Sequence, residues 1–145
     1  MTLAKEKNVL LTAVCVDDSE FDRKLHDRVL RRSGAFGEMY HFPSGEDALV
    51  HLRNTPQMPD VIFLDVNMPI MSGFDFLQAA TEEFGDGFTS RVVIMLTTSL
   101  NPEDRKRAEA FKVVRDFLNK PLTVEEAKDV AMATRRIVRD LQTPG

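Results

Sequence analysis

Four short apolar runs, each closed by a residue that can do chemistry, constrain this chain more than any other feature. Ala13-Val14-Cys15-Val16 leads into Asp17-Asp18, and Val61-Ile62-Phe63-Leu64 leads into Asp65. Val92-Val93-Ile94-Met95-Leu96 leads into Thr97, and Phe117-Leu118 stands just before Lys120. Runs that are apolar at consecutive positions and rich in β-branched residues suit strands covered on both faces, as in a parallel sheet. A weaker strand fits Glu38 to Phe42.

Helix signals fill the gaps. Ser19 follows the first run, and Phe21, Leu25 and Val29 repeat at i, i+4 and i+8 until Ser33-Gly34. Ser44 with Asp47, and Ser72 with Asp75, have the spacing of an N-cap and its third helical residue. Asn101-Pro102 places a cap before a proline at the first helical position. Thr123 and Glu126 form a capping box, followed by one apolar face: Ala127, Val130, Ala131, Thr134, Ile137, Val138 and Leu141. The helix from Pro102 is expected to end near Phe111 to Val113, where no Gly or Asn offers a left-handed cap. Strands alternating with helices predict an α/β domain with a parallel sheet between helical layers and right-handed crossovers.

Composition excludes several classes. The chain has 145 residues, which predicts one domain, and a net charge of −4, which lacks the basic excess of a nucleic-acid binder. Cys15 is the single cysteine, so no disulfide framework exists and a reducing, cytoplasmic setting is the simplest expectation. It reads as a small buried hydrophobe. Lys5 and Lys7 before Val9 to Val16 imitate a weak signal peptide. That run is only about eight residues long and meets Asp17-Asp18 where a cleavage site would stand. No run reaches membrane-spanning length. Residues 1–8 and 142–145 are expected to fray. His26, His41 and His51 lack metal-ligand spacing and are expected at the surface or a strand edge.

In an open α/β sheet, ligands bind outside the carboxyl ends of the strands. Asp17, Asp18, Asp65, Thr97 and Lys120 therefore converge on one edge. Clustered carboxylates repel one another, and Mg²⁺, a hard cation that takes oxygen ligands, relieves that repulsion. A lysine offers a compact charge for a phosphoryl group, and a carboxylate can itself become an aspartyl-phosphate. Phosphoryl transfer needs chiefly positioning and charge neutralisation.

The runs Val16-Asp17-Asp18-Ser19, Leu64-Asp65-Val66-Asn67-Met68-Pro69-Ile70-Met71-Ser72-Gly73, Met95-Leu96-Thr97-Thr98-Ser99 and Phe117-Leu118-Asn119-Lys120-Pro121 occur in order, each at a strand end. Together they resemble the receiver domain of response regulators in its stand-alone, chemotaxis (CheY-like) form. The resemblance implies a flavodoxin-like (βα)5 fold over residues 9–141, doubly wound, with five parallel strands in the order 2-1-3-4-5. It leaves no output domain. It implies that Asp65 is the phosphoacceptor, that Asp18 binds Mg²⁺ directly and Asp17 mainly through water, and that the Asn67 backbone carbonyl is a further ligand. Thr97 would contact the phosphoryl group, Lys120 would pair with it, and Lys120-Pro121 would be cis. Phe117 would be an aromatic switch swinging inward as Thr97 moves toward the phosphate. The donor would be a phosphohistidine on a sensor histidine kinase or a histidine phosphotransfer protein. Output would pass through the face of the fourth helix, fifth strand and fifth helix, to a protein effector or to a second copy in a homodimer. Catalysis would extend only to the domain's own phosphorylation and dephosphorylation. Thr98 is bulkier than the alanine or glycine common after that threonine, which predicts narrower access. Phe117 replaces a frequent tyrosine and lacks a phenol.

Blander readings stand beside these. Asp17-Asp18 also suits a turn with a cap, Thr97 a strand end, and Lys120, Arg105 to Arg107 and Arg135-Arg136 solvated surface. A phosphorylation-independent pseudo-receiver would lack Asp65, Asp18 or Lys120. A haloacid-dehalogenase-like hydrolase would carry Asp two residues after its nucleophile, where this chain has Asn67. A flavin binder would need a Ser/Thr/Gly-rich loop after the first strand. Action as a phosphate sink within a relay remains open.

Overall fold

The computed structural model describes residues 9–99 and 101–142. Apart from Gln142, the ends expected to fray lie outside the described residues. In chain order the elements are β1 (Leu11–Val16), α1 (Glu20–Ser33), β2 (Phe36–Phe42), α2 (Gly45–Asn54), β3 (Val61–Asp65), α3 (Gly73–Phe84), α4 (Asp86–Thr89), β4 (Val92–Thr97), α5 (Pro102–Glu109), β5 (Val114–Asn119) and α6 (Val124–Gln142). The five strands are parallel and lie in the order β2-β1-β3-β4-β5, as the flavodoxin-like expectation has it. The reversal of winding direction falls between β1 and β3.

Strand alternation divides the core. Val14, Val16, Ile62, Leu64, Val93 and Met95 point to one face, against Leu49, Leu52, Phe74, Phe76 and Leu77 of α2 and α3. Ala13, Cys15, Phe63, Ile94 and Leu96 point to the other, against Leu30 of α1 and Ala127, Val130 and Ala131 of α6. The central strands are buried on both faces, which is why they read as unbroken apolar runs. Edge strands β2 and β5 are only partly buried, and their sequence signal is correspondingly weak.

Local chemistry sets the helix ends. Ser19, Ser44 and Ser72 each accept a hydrogen bond from the third helical residue's N–H, and Asn101 caps the helix that starts at Pro102. Gly34 closes α1 at φ 71°, a left-handed position that glycine adopts without penalty. The α6 face runs as expected through Val138; the side chain of Leu141 lies outside the described residues.

Three expectations need correction, and one short helix was not expected. Phe21 is 74% exposed, so Phe21-Leu25-Val29 is not the inward line of α1; His26 and Leu30 are its buried residues. His26 itself is 2% exposed, not a surface histidine. α4 carries no sequence signal beyond Gly85-Asp86-Gly87 and adds a turn before β4, buried through Phe88. α5 ends at Glu109, two residues early. Its capping residue Ala110 is right-handed, and tight turns through Phe111 lead to the 1%-exposed Val113.

Candidate functional site

The carboxyl ends of β1, β3, β4 and β5 meet at one edge of the sheet. Asp17 leaves β1 with its N–H on the Phe42 carbonyl at 3.0 Å, and the residue is 3% exposed. Its Oδ1 accepts the Ser19 N–H at 2.9 Å, and Arg23 Nη1 donates to its main-chain carbonyl at 2.7 Å. Asp18 is exposed. Asp65 ends β3, is 5% exposed, and accepts the Asn67 N–H at 3.3 Å. Oxygens of Asp17, Asp18 and Asp65 lie within 4.8 Å of one another.

Lys120 closes the group. Its N–H donates to the Thr97 carbonyl at 2.7 Å, which ties the end of β5 to the end of β4. The Lys120-Pro121 peptide is cis. The ammonium stands 2.7 Å from Asp17 Oδ2, 3.1 Å from Asp22 Oδ2 and 3.4 Å from Asp65 Oδ1, with the lysine side chain 8% exposed. The loop after β3 holds Ile70 at φ 69°, a costly conformation for a β-branched residue, with its side chain 94% exposed.

Electrostatics follow from burial. Removal from water, and secondarily the Asp17 carboxylate, push the Asp65 pKa up to about 6; Lys120 and the Asn67 N–H pull the other way. Burial opposes the charge on Lys120, but the Asp17, Asp65 and Asp22 carboxylates outweigh it and hold the ammonium above the ordinary lysine value. Burial lowers the His26 pKa, and its Nε2 has no hydrogen-bond partner among the described residues. Cys15 is 2% exposed and its thiol is pushed up chiefly by burial, in keeping with an inert core residue.

The acid cluster suits a hard divalent cation. Asp17 Oδ2 is buried, and its short ion pair with Lys120 falls outside hydrogen-bond geometry. Three gathered carboxylates, two of them buried, are the oxygen donor set that Mg²⁺ takes.

Thr97 is fully buried, and its hydroxyl donates to the Ser99 carbonyl at 2.9 Å and accepts the Ser99 N–H at 3.1 Å. Phe117 is 5% exposed, so its ring already lies inward. Its burial does not require the Thr97 hydroxyl to leave Ser99. Arg105 Nη2 donates to the Phe117 carbonyl at 3.3 Å, and its guanidinium lies 5.9 Å from the ring centroid. Arg107 stacks over Phe74 at 4.3 Å. Neither arginine is simply a solvated charge.

Sequence reasoning missed Asp22 and Arg23. The signal was present: Asp22 is three residues after Ser19 and begins the line Asp22-His26-Leu30 on α1, which faces the sheet and the site.

A family model described as the response regulator receiver domain matches residues 13–132. The Arabidopsis thaliana protein named two-component response regulator 24 is 31% identical over 116 residues, 80% of this chain and 78% of that one. Hybrid signal transduction histidine kinase C of Dictyostelium discoideum is 31% identical over 111 residues, and there the match spans only 9% of the relative's length. Among solved structures, the chemotaxis protein CheY4 of Vibrio cholerae aligns with a TM-score of 0.74 at 28% identity, covering 87% of this chain and 99% of that one.

Proposed function

Because this chain belongs to the response regulator receiver domain family, we propose that it accepts a phosphoryl group on Asp65 from a phosphohistidine and carries it as a switch in a two-component phosphorelay. The observation that carries this reading is the Asp65 carboxylate, buried at the end of β3 beside Lys120 and within 4.8 Å of Asp17 and Asp18. An Asp65 oxygen attacks phosphorus, an acyl–phosphate bond forms, and the phosphorus–nitrogen bond breaks with its electron pair leaving on the imidazole. Asp17, Asp18, Asp65 and the Asn67 backbone carbonyl would hold Mg²⁺, which when bound neutralises charge on the transferring group. Lys120 supplies the fixed positive charge, and the Thr97 hydroxyl is the group released from Ser99 to meet the phosphoryl oxygen.

Readout falls to the α5–β5–α6 face, because Lys120 and Thr97 are joined at the ends of β5 and β4 and Arg105 of α5 touches Phe117. With the extra turn α4 counted, this is the surface expected at the fourth and fifth helices. A protein effector or a second copy would bind there, with a sensor histidine kinase or histidine phosphotransfer protein as donor. The acidic balance argues for protein partners rather than nucleic acid or a membrane surface, and the single cysteine suits the cytoplasm. No described helix is long and apolar enough to cross a membrane.

Incubation with acetyl phosphate and Mg²⁺, followed by intact-mass measurement, tests the assignment. One added phosphoryl group is expected on the native chain and none on Asp65→Asn. A native chain of unchanged mass, or label retained by the variant, refutes it.

A further inference from the structure

Four helices in this chain open on a Ser or Thr followed three residues later by an acid that could complete a capping box; at α3 and α6 it does, at α2 the exposed Asp47 makes no such bond, and at α1 the acid goes elsewhere. At α3, Asp75 Oδ2 accepts the Ser72 N–H at 3.0 Å; at α6, Glu126 Oε1 accepts the Thr123 N–H at 2.9 Å. At α1 the Asp22 N–H bonds Ser19 Oγ at 3.2 Å, but the Ser19 N–H is taken by Asp17 Oδ1 at 2.9 Å. The Asp22 carboxylate is thereby released from capping. It accepts from Lys120 Nζ at 3.1 Å, across 98 residues of sequence.

An ammonium has three donors. Three carboxylates surround Lys120, and two of them, Asp17 and Asp65, belong to the acid cluster. Asp22 lies outside that cluster. A cation held by the cluster draws on Asp17 and Asp65, and leaves Asp22 as the anion whose hold on Lys120 is undiminished. A phosphoryl group on Asp65 has to win the ammonium from it.

We propose that Asp22 is a positioning residue that tethers Lys120 and competes with the phosphoryl group for it. This rests on the reading of Asp65 as phosphoacceptor. The tether sets how readily the phosphorylated form is stabilised, and it works through Lys120 rather than through contact with the reacting atoms.

The test compares the native chain with Asp22→Asn, Asp22→Ser, Asp22→Glu and Glu20→Gln. Glu20 lies in the same turn and its removal changes charge equally, but its carboxylate pairs with Lys24 at 3.0 Å. Titration with beryllofluoride and Mg²⁺, read by ¹⁹F NMR of the bound anion, reports on the phosphorylated-like state. Acetylation of Lys120 in metal-free protein, read by mass spectrometry, reports on the tether directly. In both neutral Asp22 variants the half-saturating beryllofluoride concentration is expected to fall about threefold, the scale of one partly exposed ion pair, with a comparable gain in Lys120 acetylation. Asp22→Glu and Glu20→Gln should stay near native. Native-like saturation in both neutral variants overturns the proposal alone. So does a Glu20→Gln response equal to theirs, since general charge would then explain it. A native chain that binds no beryllofluoride overturns the Asp65 assignment itself, and the tether with it.

Discussion

The Asp65 carboxyl gives the folded chain a pH dependence, set chiefly by its burial. Its folded pKa of about 6 lies above the unperturbed aspartate value of about 3.9. Between those values the folded state binds more protons than the unfolded chain, so stability falls as pH rises. The contribution is complete below about pH 4 and is lost as pH rises through about 6. In metal-free protein near pH 7.5, Asp65→Asn should therefore raise the melting midpoint, by about 1–2 kcal/mol of stability. That advantage should shrink steadily toward pH 5. Thermal melts at the two pH values check this; a gap independent of pH would mean that ionised Asp65 is not the destabilising group. Lys120 belongs to the same scale, since the carboxylates around it hold its ammonium charged against burial.

Elements position those residues through close backbone approach. A Cβ added at Gly73, the first residue of α3, would collide with the Asp65 carbonyl oxygen and stand 3.1 Å from Val66 Cα. Those are backbone atoms at the end of β3, so relief means moving Asp65. Gly73→Ala should cost about 1–3 kcal/mol by urea denaturation and also weaken beryllofluoride binding. Gly87→Ala, where nothing lies within 4 Å of the added atom, should do neither. If Gly73→Ala left both readouts native, the tight packing of α3 on β3 would not be what seats Asp65. Caps, proline and glycine made most helix starts legible in advance, because their chemistry is local. The inward face of α1 was not. Phe21-Leu25-Val29 and Asp22-His26-Leu30 are parallel lines roughly 100° apart on the helix, and hydrophobicity favours the first. Docking favours the second, since it carries Asp22 to Lys120 and leaves Phe21 in solvent.

For the whole molecule, the acid cluster predicts linkage between cation binding and folding. Only the folded chain gathers Asp17, Asp18 and Asp65, so Mg²⁺ should raise the melting temperature. At a Mg²⁺ concentration 100 times its dissociation constant the gain is about 2.7 kcal/mol. Asp18→Ala should abolish most of it, while Asp18, being exposed, leaves the metal-free midpoint close to native. Calorimetry with and without Mg²⁺ decides; a Mg²⁺-independent midpoint in the native chain counts against the cation site.

The division between what was readable in advance and what was not has a physical cause. Apolar runs on consecutive positions, each ending in Asp17-Asp18, Asp65, Thr97 or Lys120, determined a parallel α/β sheet with its polar residues on one edge, because burial on both faces and strand direction act along the chain. Partnership across the edge was decided only by tertiary structure. Lys120 meets Asp22 across 98 residues of sequence, His26 is buried, and Phe117 lies inward while Thr97 stays with Ser99. Those outcomes depend on how α1, β4 and β5 dock. Docking is settled by packing and by the solvation of a few charges, and neither leaves a periodic mark in the sequence.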